Sequence, residues 1–87
     1  MDDNIRTELK EFILKEFLPG EDLRDLTDDL PLISGGILDS IATLKLILHL
    51  EERYRITLEA HEADKSHLDT IDRIAGLVEA KVKSRAS

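Results

Sequence analysis

The sequence predicts an all-α fold, a small bundle of four helices: three longer ones, one short one and a long loop between the first two. Three observations carry that expectation. Apolar residues recur at helical spacing in three separate runs, no alternating strand pattern pairs with another, and both prolines and three of the four glycines fall in one stretch, residues 18–38. At 87 residues with 41% hydrophobic content, the chain has material for one packed domain, expected over 1–87 with a frayed tail at 82–87.

The first helix is expected from about Asn4 to Phe17. Ile5, Leu9, Phe12, Ile13 and Phe17 form its apolar side, with Arg6, Glu8, Lys10, Glu11 and Lys15 outside. Asp2, Asp3 or Asn4 serves as its cap, and Pro19-Gly20 stops it. A loop as long as the one that follows is usually functional or disordered. Leu23, Leu26, Leu30, Leu32 and Ile33 speak for a loop pinned to the core, with one helical turn near Asp22 to Leu26.

The second helix is expected from Ser40 to Arg53. Ile41, Leu44, Leu46, Ile47, Leu48, Leu50 and Tyr54 sweep more than half its circumference, which marks it as the central helix, and Ala42, Lys45, His49, Glu52 and Arg53 share the remaining arc. Arg55 to Leu58 reads as extended chain, and Glu59 to Ala63 as one short helical turn. Asp69 or Thr70 caps a last helix whose core side is Ile71, Ile74, Ala75, Val78 and Val82. Asp72 in its first turn and Lys81, Lys83 and Arg85 near its end suit the helix dipole.

Composition narrows the chemistry. Nineteen acids against twelve bases give a formal net charge of −7, which a nucleic-acid backbone would repel. Acids crowd residues 21–40, where Glu21, Asp22, Asp25, Asp28, Asp29 and Asp39 face Arg24 alone. There is no cysteine, so neither a disulfide framework, a thiolate metal site nor a protein thiol nucleophile is available. Met1-Asp2-Asp3-Asn4 is acidic where a secretory signal needs positive charge, and the most apolar run, Ile41 to Leu50, is short and interrupted. A cytoplasmic chain that does not enter membranes is expected. His49, His61, His67, Glu62 and Asp64 lack the spacing that sets two metal ligands on one helical face, so no metal site is expected and the histidines read as surface residues. Asp22 to Asp29 lacks the alternation and central glycine of a calcium loop, and Ser40, His67 and Asp69 come without an elbow motif.

One segment stands out. Ser34-Gly35-Gly36-Ile37-Leu38-Asp39-Ser40-Ile41 turns tightly and then opens the second helix, setting the Ser40 hydroxyl where unpaired amides and the positive dipole end converge. That setting favours an attached phosphate. An Asp-Ser pair before an apolar run is also a common helix cap, and the two readings can coexist if Asp39 caps while Ser40 carries a group.

The string Gly35-Gly36-Ile37-Leu38-Asp39-Ser40-Ile41 resembles the acyl carrier protein motif, Asp-Ser-Leu after a glycine-containing loop. The likeness continues through Leu48-His49-Leu50-Glu51-Glu52-Arg53-Tyr54-Arg55-Ile56 and His67-Leu68-Asp69-Thr70-Ile71-Asp72-Arg73-Ile74, covering most of the chain beyond residue 30. The resemblance implies a four-helix, monomeric, non-enzymatic carrier of acyl-carrier type. A dedicated phosphopantetheinyl transferase would attach 4′-phosphopantetheine from coenzyme A to Ser40, with Asp39 and Ile41 flanking the contact, making the chain a phosphoprotein. Acyl- or aminoacyl-activating and transferring enzymes would then load and unload thioesters, the cofactor supplying the sulfur that the chain lacks. Leu44, Lys45, Glu51 and Glu52 would help form the docking face. Carriers of fatty-acid synthesis usually have Leu after the serine and acids along this helix, where the present chain has Ile41, Ala42 and Lys45; a specialised carrier of an aminoacyl, polyketide or unusual acyl unit is expected instead. The competing readings are an unmodified helical interaction module in which Ser40 only caps a helix and, more distantly, a phosphoserine-based regulatory domain.

Overall fold

A computed structural model describes residues 2–86 of the chain, with side chains from Asn4 to Ser84 apart from Leu23. It is all-helical, in the order α1 (Asp2–Phe17), α2 (Ser40–Tyr54), α3 (Lys65–Leu68) and α4 (Ile71–Ala86), with one 3-10 turn at Leu23–Asp25 in the long loop. Three long helices and one short one match the expected number, and the three long ones lie where the spacing predicts. The described residues contain no strand.

The core is aliphatic. Leu9 and Ile13 of α1, Leu46 and Leu50 of α2, Leu68 of α3, and Ile71, Ile74 and Val78 of α4 are all but fully buried, together with Leu26, Leu32 and Leu38 from the long loop. These loop leucines explain how the long connection over residues 18–39 stays ordered: each spends its side chain on the core, and the backbone between them is left to make turns. The 3-10 turn falls within the helical turn expected near Asp22 to Leu26. α4 packs chiefly on α1 and α3, and α2 meets α4 over a smaller contact.

Several expectations are corrected. α1 begins at Asp2, so Asn4 lies inside its first turn and is not its cap. The capping expected of Asp2 or Asp3, the anchoring expected of Leu23 and the dipole charge expected of Arg85 concern side chains outside the described set. α4 is helical through Ala86, and Val82 packs against the core; Ser87 lies outside the described residues. Residues 59–63 make the single turn expected there, with the Glu62 and Ala63 amides donating to the Glu59 carbonyl, but it does not extend into a helix. The short helix comes later, at α3, because Asp64 caps it: its carboxylate accepts the His67 amide at 3.2 Å. Thr70, not Asp69, caps α4 through the Arg73 amide at 3.1 Å.

The expected centrality of α2 is corrected as well. Of its expected apolar arc only Leu46 and Leu50 are buried, in line with Ala42 one turn earlier, while Ile41, Leu44 and Leu48 are 68%, 56% and 55% exposed. Half of the arc faces the core and half faces solvent.

Candidate functional site

Ser40 is the first residue of α2, and its position is fixed from both sides. Upstream, the loop is tied down by the Leu32 amide on the Asp69 carbonyl at 2.6 Å and the Leu38 amide on the Leu32 carbonyl at 2.8 Å. Gly35 passes so close to the Pro31 carbonyl that a Cβ would overlap it, and Gly36 turns at φ +83°, a conformation that favours glycine.

Asp69 fastens the same loop with its side chain. One carboxylate oxygen accepts the Ile33 and Ser34 amides, each at 2.9 Å, and the other accepts the Ser34 hydroxyl at 2.8 Å. The Ser34 amide and hydroxyl, with the Ile33 amide, hold the Asp69 carboxyl below the usual carboxylate range. Asp69, one of two alternative caps expected for α4, instead has partners 35 and 36 residues back along the chain, and no local pattern points to them.

Downstream, Asp39 is the helix cap. Its backbone is extended, its Oδ1 accepts the Ala42 amide at 2.7 Å, and its carbonyl accepts the Thr43 amide at 2.8 Å and the Thr43 hydroxyl at 2.7 Å. Ser40 therefore has no capping duty. It is exposed, and among the described residues its Oγ has no hydrogen-bond partner. Ile41 beside it is exposed as well. The reading in which Ser40 acts only as a cap loses its physical basis, because another residue fills that role.

A groove of about 710 Å³ opens at Ser40 and runs between α2 and the segment before α3. Ile33, Leu38, Leu44 and Ile47 give it an apolar floor, and Asp64 and Lys65 close its far side. An exposed hydroxyl at the end of a shallow apolar groove fits a long flexible group attached through a phosphodiester. The pairing of Asp39 with Ala42 leaves the Ser40 and Ile41 amides of the first turn free to face such an anion.

The predicted docking residues are divided. Leu44, Lys45 and Glu52 are exposed along the outer side of α2, next to Ile41 and Leu48. Glu51 turns away: its Oε2 accepts the Leu58 amide at 2.9 Å, and its carbonyl receives the Arg55 and Ile56 amides that end the helix. Ala42 was assigned to the polar arc but is buried, being one turn before Leu46 on the core side. His49 is half-buried rather than on the surface, stacked on Phe12 with ring centroids 3.8 Å apart. Burial there, assisted by Arg53, lowers its pKa from the usual histidine range. Among the described residues no group of three or more His, Cys, Asp or Glu is arranged to hold a metal ion.

No family model matches the chain. Curated relatives do. A D-alanyl carrier protein of Leuconostoc mesenteroides subsp. mesenteroides is 32% identical over 77 residues, 86% of this chain and 97% of the relative. D-alanyl carrier proteins of Lactobacillus helveticus and Lactobacillus acidophilus are each 33% identical over 63 residues, 72% of this chain and 78% of the relative. The chain belongs to the carrier proteins of acyl-carrier type. The relatives are named as carriers, so this carrier is not itself an enzyme. None of its described helices is long and apolar enough to cross a membrane.

Proposed function

We propose that this carrier holds an aminoacyl group, D-alanine in the first instance, as a thioester on a 4′-phosphopantetheine arm attached to Ser40. The observation that carries the attachment site is the division of labour at the start of α2, where Asp39 caps the helix and the Ser40 hydroxyl stays exposed and unengaged. The cargo rests on the three D-alanyl carrier proteins among its relatives. When bound, the arm supplies the thiol that a chain without cysteine lacks. Ser40 provides the oxygen that is phosphorylated, and the groove floor of Leu44 and Ile47 gives the arm an apolar surface to lie on.

The exposed strip Ile41, Leu44 and Leu48, with Lys45 and Glu52 among them, supports docking of a transferase that installs the arm and of cytoplasmic enzymes that load and unload it. A lysine five residues after Ser40 would disfavour partners whose docking patch is uniformly basic, which fits a specialised partner set.

Incubation with coenzyme A and a broad-specificity phosphopantetheinyl transferase tests the site. Intact mass should rise by one phosphopantetheine on the wild type and not on Ser40→Ala. A wild type that gains nothing overturns the carrier mechanism, and addition that survives Ser40→Ala moves the site. Cargo is tested next, by giving the modified protein to a D-alanine-adenylating enzyme with ATP. Transfer of another amino acid in preference to D-alanine would change the cargo and leave the site intact.

A further inference from the structure

Where the end of α1 meets the long loop, the surface has a hollow of about 220 Å³ walled by Leu14, Leu18, Leu26 and Leu30. Pockets for cofactor- or drug-sized ligands run to about 300–1,000 Å³, so this one has room for a single long side chain. Glu21 and Asp25, both exposed, stand on its rim.

The fate of the other loop acids gives these two their meaning. Asp22 pairs with Arg24 at 3.0 Å. Asp28 pairs with Lys10 at 2.8 Å and Arg6 at 3.2 Å. Asp29 accepts the Thr27 hydroxyl, and Asp39 caps α2. Among the described residues, Glu21 and Asp25 are the acids of this loop whose carboxylates have no partner, and both stand at the mouth of the hollow. We infer that the hollow receives a lysine or arginine side chain of a partner protein, its methylene stem against the leucines and its charge between Glu21 and Asp25.

Chemistry separates this occupant from others. A long basic side chain buries its stem and keeps its charged head at the surface, the arrangement that an apolar wall with an acidic rim complements. A purely apolar insert would desolvate two carboxylates with nothing in return, and an anionic one would be repelled by them. Ile37, also in the wall, is three residues before Ser40, so their Cα atoms are within about 11 Å. A partner working at Ser40 can reach the hollow in the same encounter. The inference does not depend on what Ser40 carries.

The test titrates n-butylguanidinium into the isotopically labelled chain at low salt and follows backbone amide shifts. Saturable shifts centred on Leu18, Glu21, Asp25, Leu26 and Ile37 are expected, with a Kd on the order of millimolar for so small a probe. In Glu21→Gln/Asp25→Asn, which changes only exposed groups, binding should weaken by about fivefold or more. Pentanoate and n-butanol should bind detectably less well. Equal binding of either, unchanged binding to the double variant, or shifts centred elsewhere would overturn the inference. So would shifts at these amides that grow with protein concentration alone, which would assign the hollow to a second copy of the chain.

Discussion

At the scale of single residues, the decisive pair is Asp39 and Ser40. An N-cap carboxylate satisfies an amide that would otherwise face water or the interior unpaired, and its removal costs about 1 kcal/mol. Asp39→Ala should therefore lower stability to urea by about that amount, and Asp39→Ser should recover most of it, while Ser40→Ala should leave the unfolding midpoint within experimental scatter. Equal losses at Asp39→Ala and Ser40→Ala would mean that the two share the cap. Sequence shows both residues as candidates because both residue types cap helices; only the 2.7 Å contact from the Ala42 amide decides between them. Arg55 is a comparable case at the other end of α2: it closes the helix in a left-handed conformation with φ 54°, a place more often given to glycine.

At the scale of elements, α2 serves two masters. Ala42, Leu46 and Leu50 hold it to the core, and Ile41, Leu44 and Leu48 leave an apolar strip in water. Leu46→Ala should cost about 3 kcal/mol in urea unfolding, the ordinary penalty for emptying a fully buried leucine site. Leu48→Ala should cost less than about 0.5 kcal/mol and instead slow loading by the adenylating enzyme. A Leu48→Ala protein that loads at the wild-type rate would take that side chain out of the docking surface. The period of the apolar residues made the existence of this helix legible, because helical spacing is a local property. Which half of a wide arc is covered depends on where α1 and α4 lie, and no window of neighbouring residues contains that. The short helix was misplaced for a related reason: Glu59 to Ala63 has turn-forming chemistry, but Asp64 supplies the cap that starts a helix after it.

At the scale of the whole molecule, acids read as surface charge turn out to be fasteners. Asp28 in the long loop pairs with Arg6 and Lys10 of α1, and Arg6 also reaches Asp72 of α4 at 2.6 Å, while the Asp72 amide donates to the Asp28 carbonyl. Glu8 of α1 accepts the Tyr54 hydroxyl at 2.6 Å and Arg53 at 2.8 Å, closing α1 on the end of α2. Burial and the Glu8 carboxylate raise the Tyr54 pKa, so this tie persists through neutral and mildly alkaline conditions. Asp28 and Asp69 both titrate below the ordinary aspartate value of 3.8, the first chiefly through Lys10 and the second chiefly through the Ser34 amide. A carboxylate depressed by folding contributes stability that is present above its unfolded pKa and lost as pH falls through its folded one. The urea midpoint should thus begin to fall below about pH 6.5, where the half-buried His49 must take up a proton against its surroundings, and drop further below about pH 4 as Asp28 and Asp69 protonate. Asp69→Asn should start lower, by about 1 kcal/mol at neutral pH, and fall less steeply in acid. An acid limb identical to that of the wild type would remove Asp69 from the account. Net charge was legible in the composition, but the division of acids between fastening and display was not, since pairs such as Glu8 with Tyr54 join residues 46 apart.

The independence of the cap from the serine has one more consequence. Because Asp39 starts α2 without help from Ser40, the modification proposed at Ser40 would leave that helix start intact, and bare, modified and loaded forms would then share one backbone. Enzymes acting in sequence on those proposed forms would have little in the folded chain to tell them apart. Directionality in such a pathway would have to be read from the tip of the arm, with the protein serving as a constant handle.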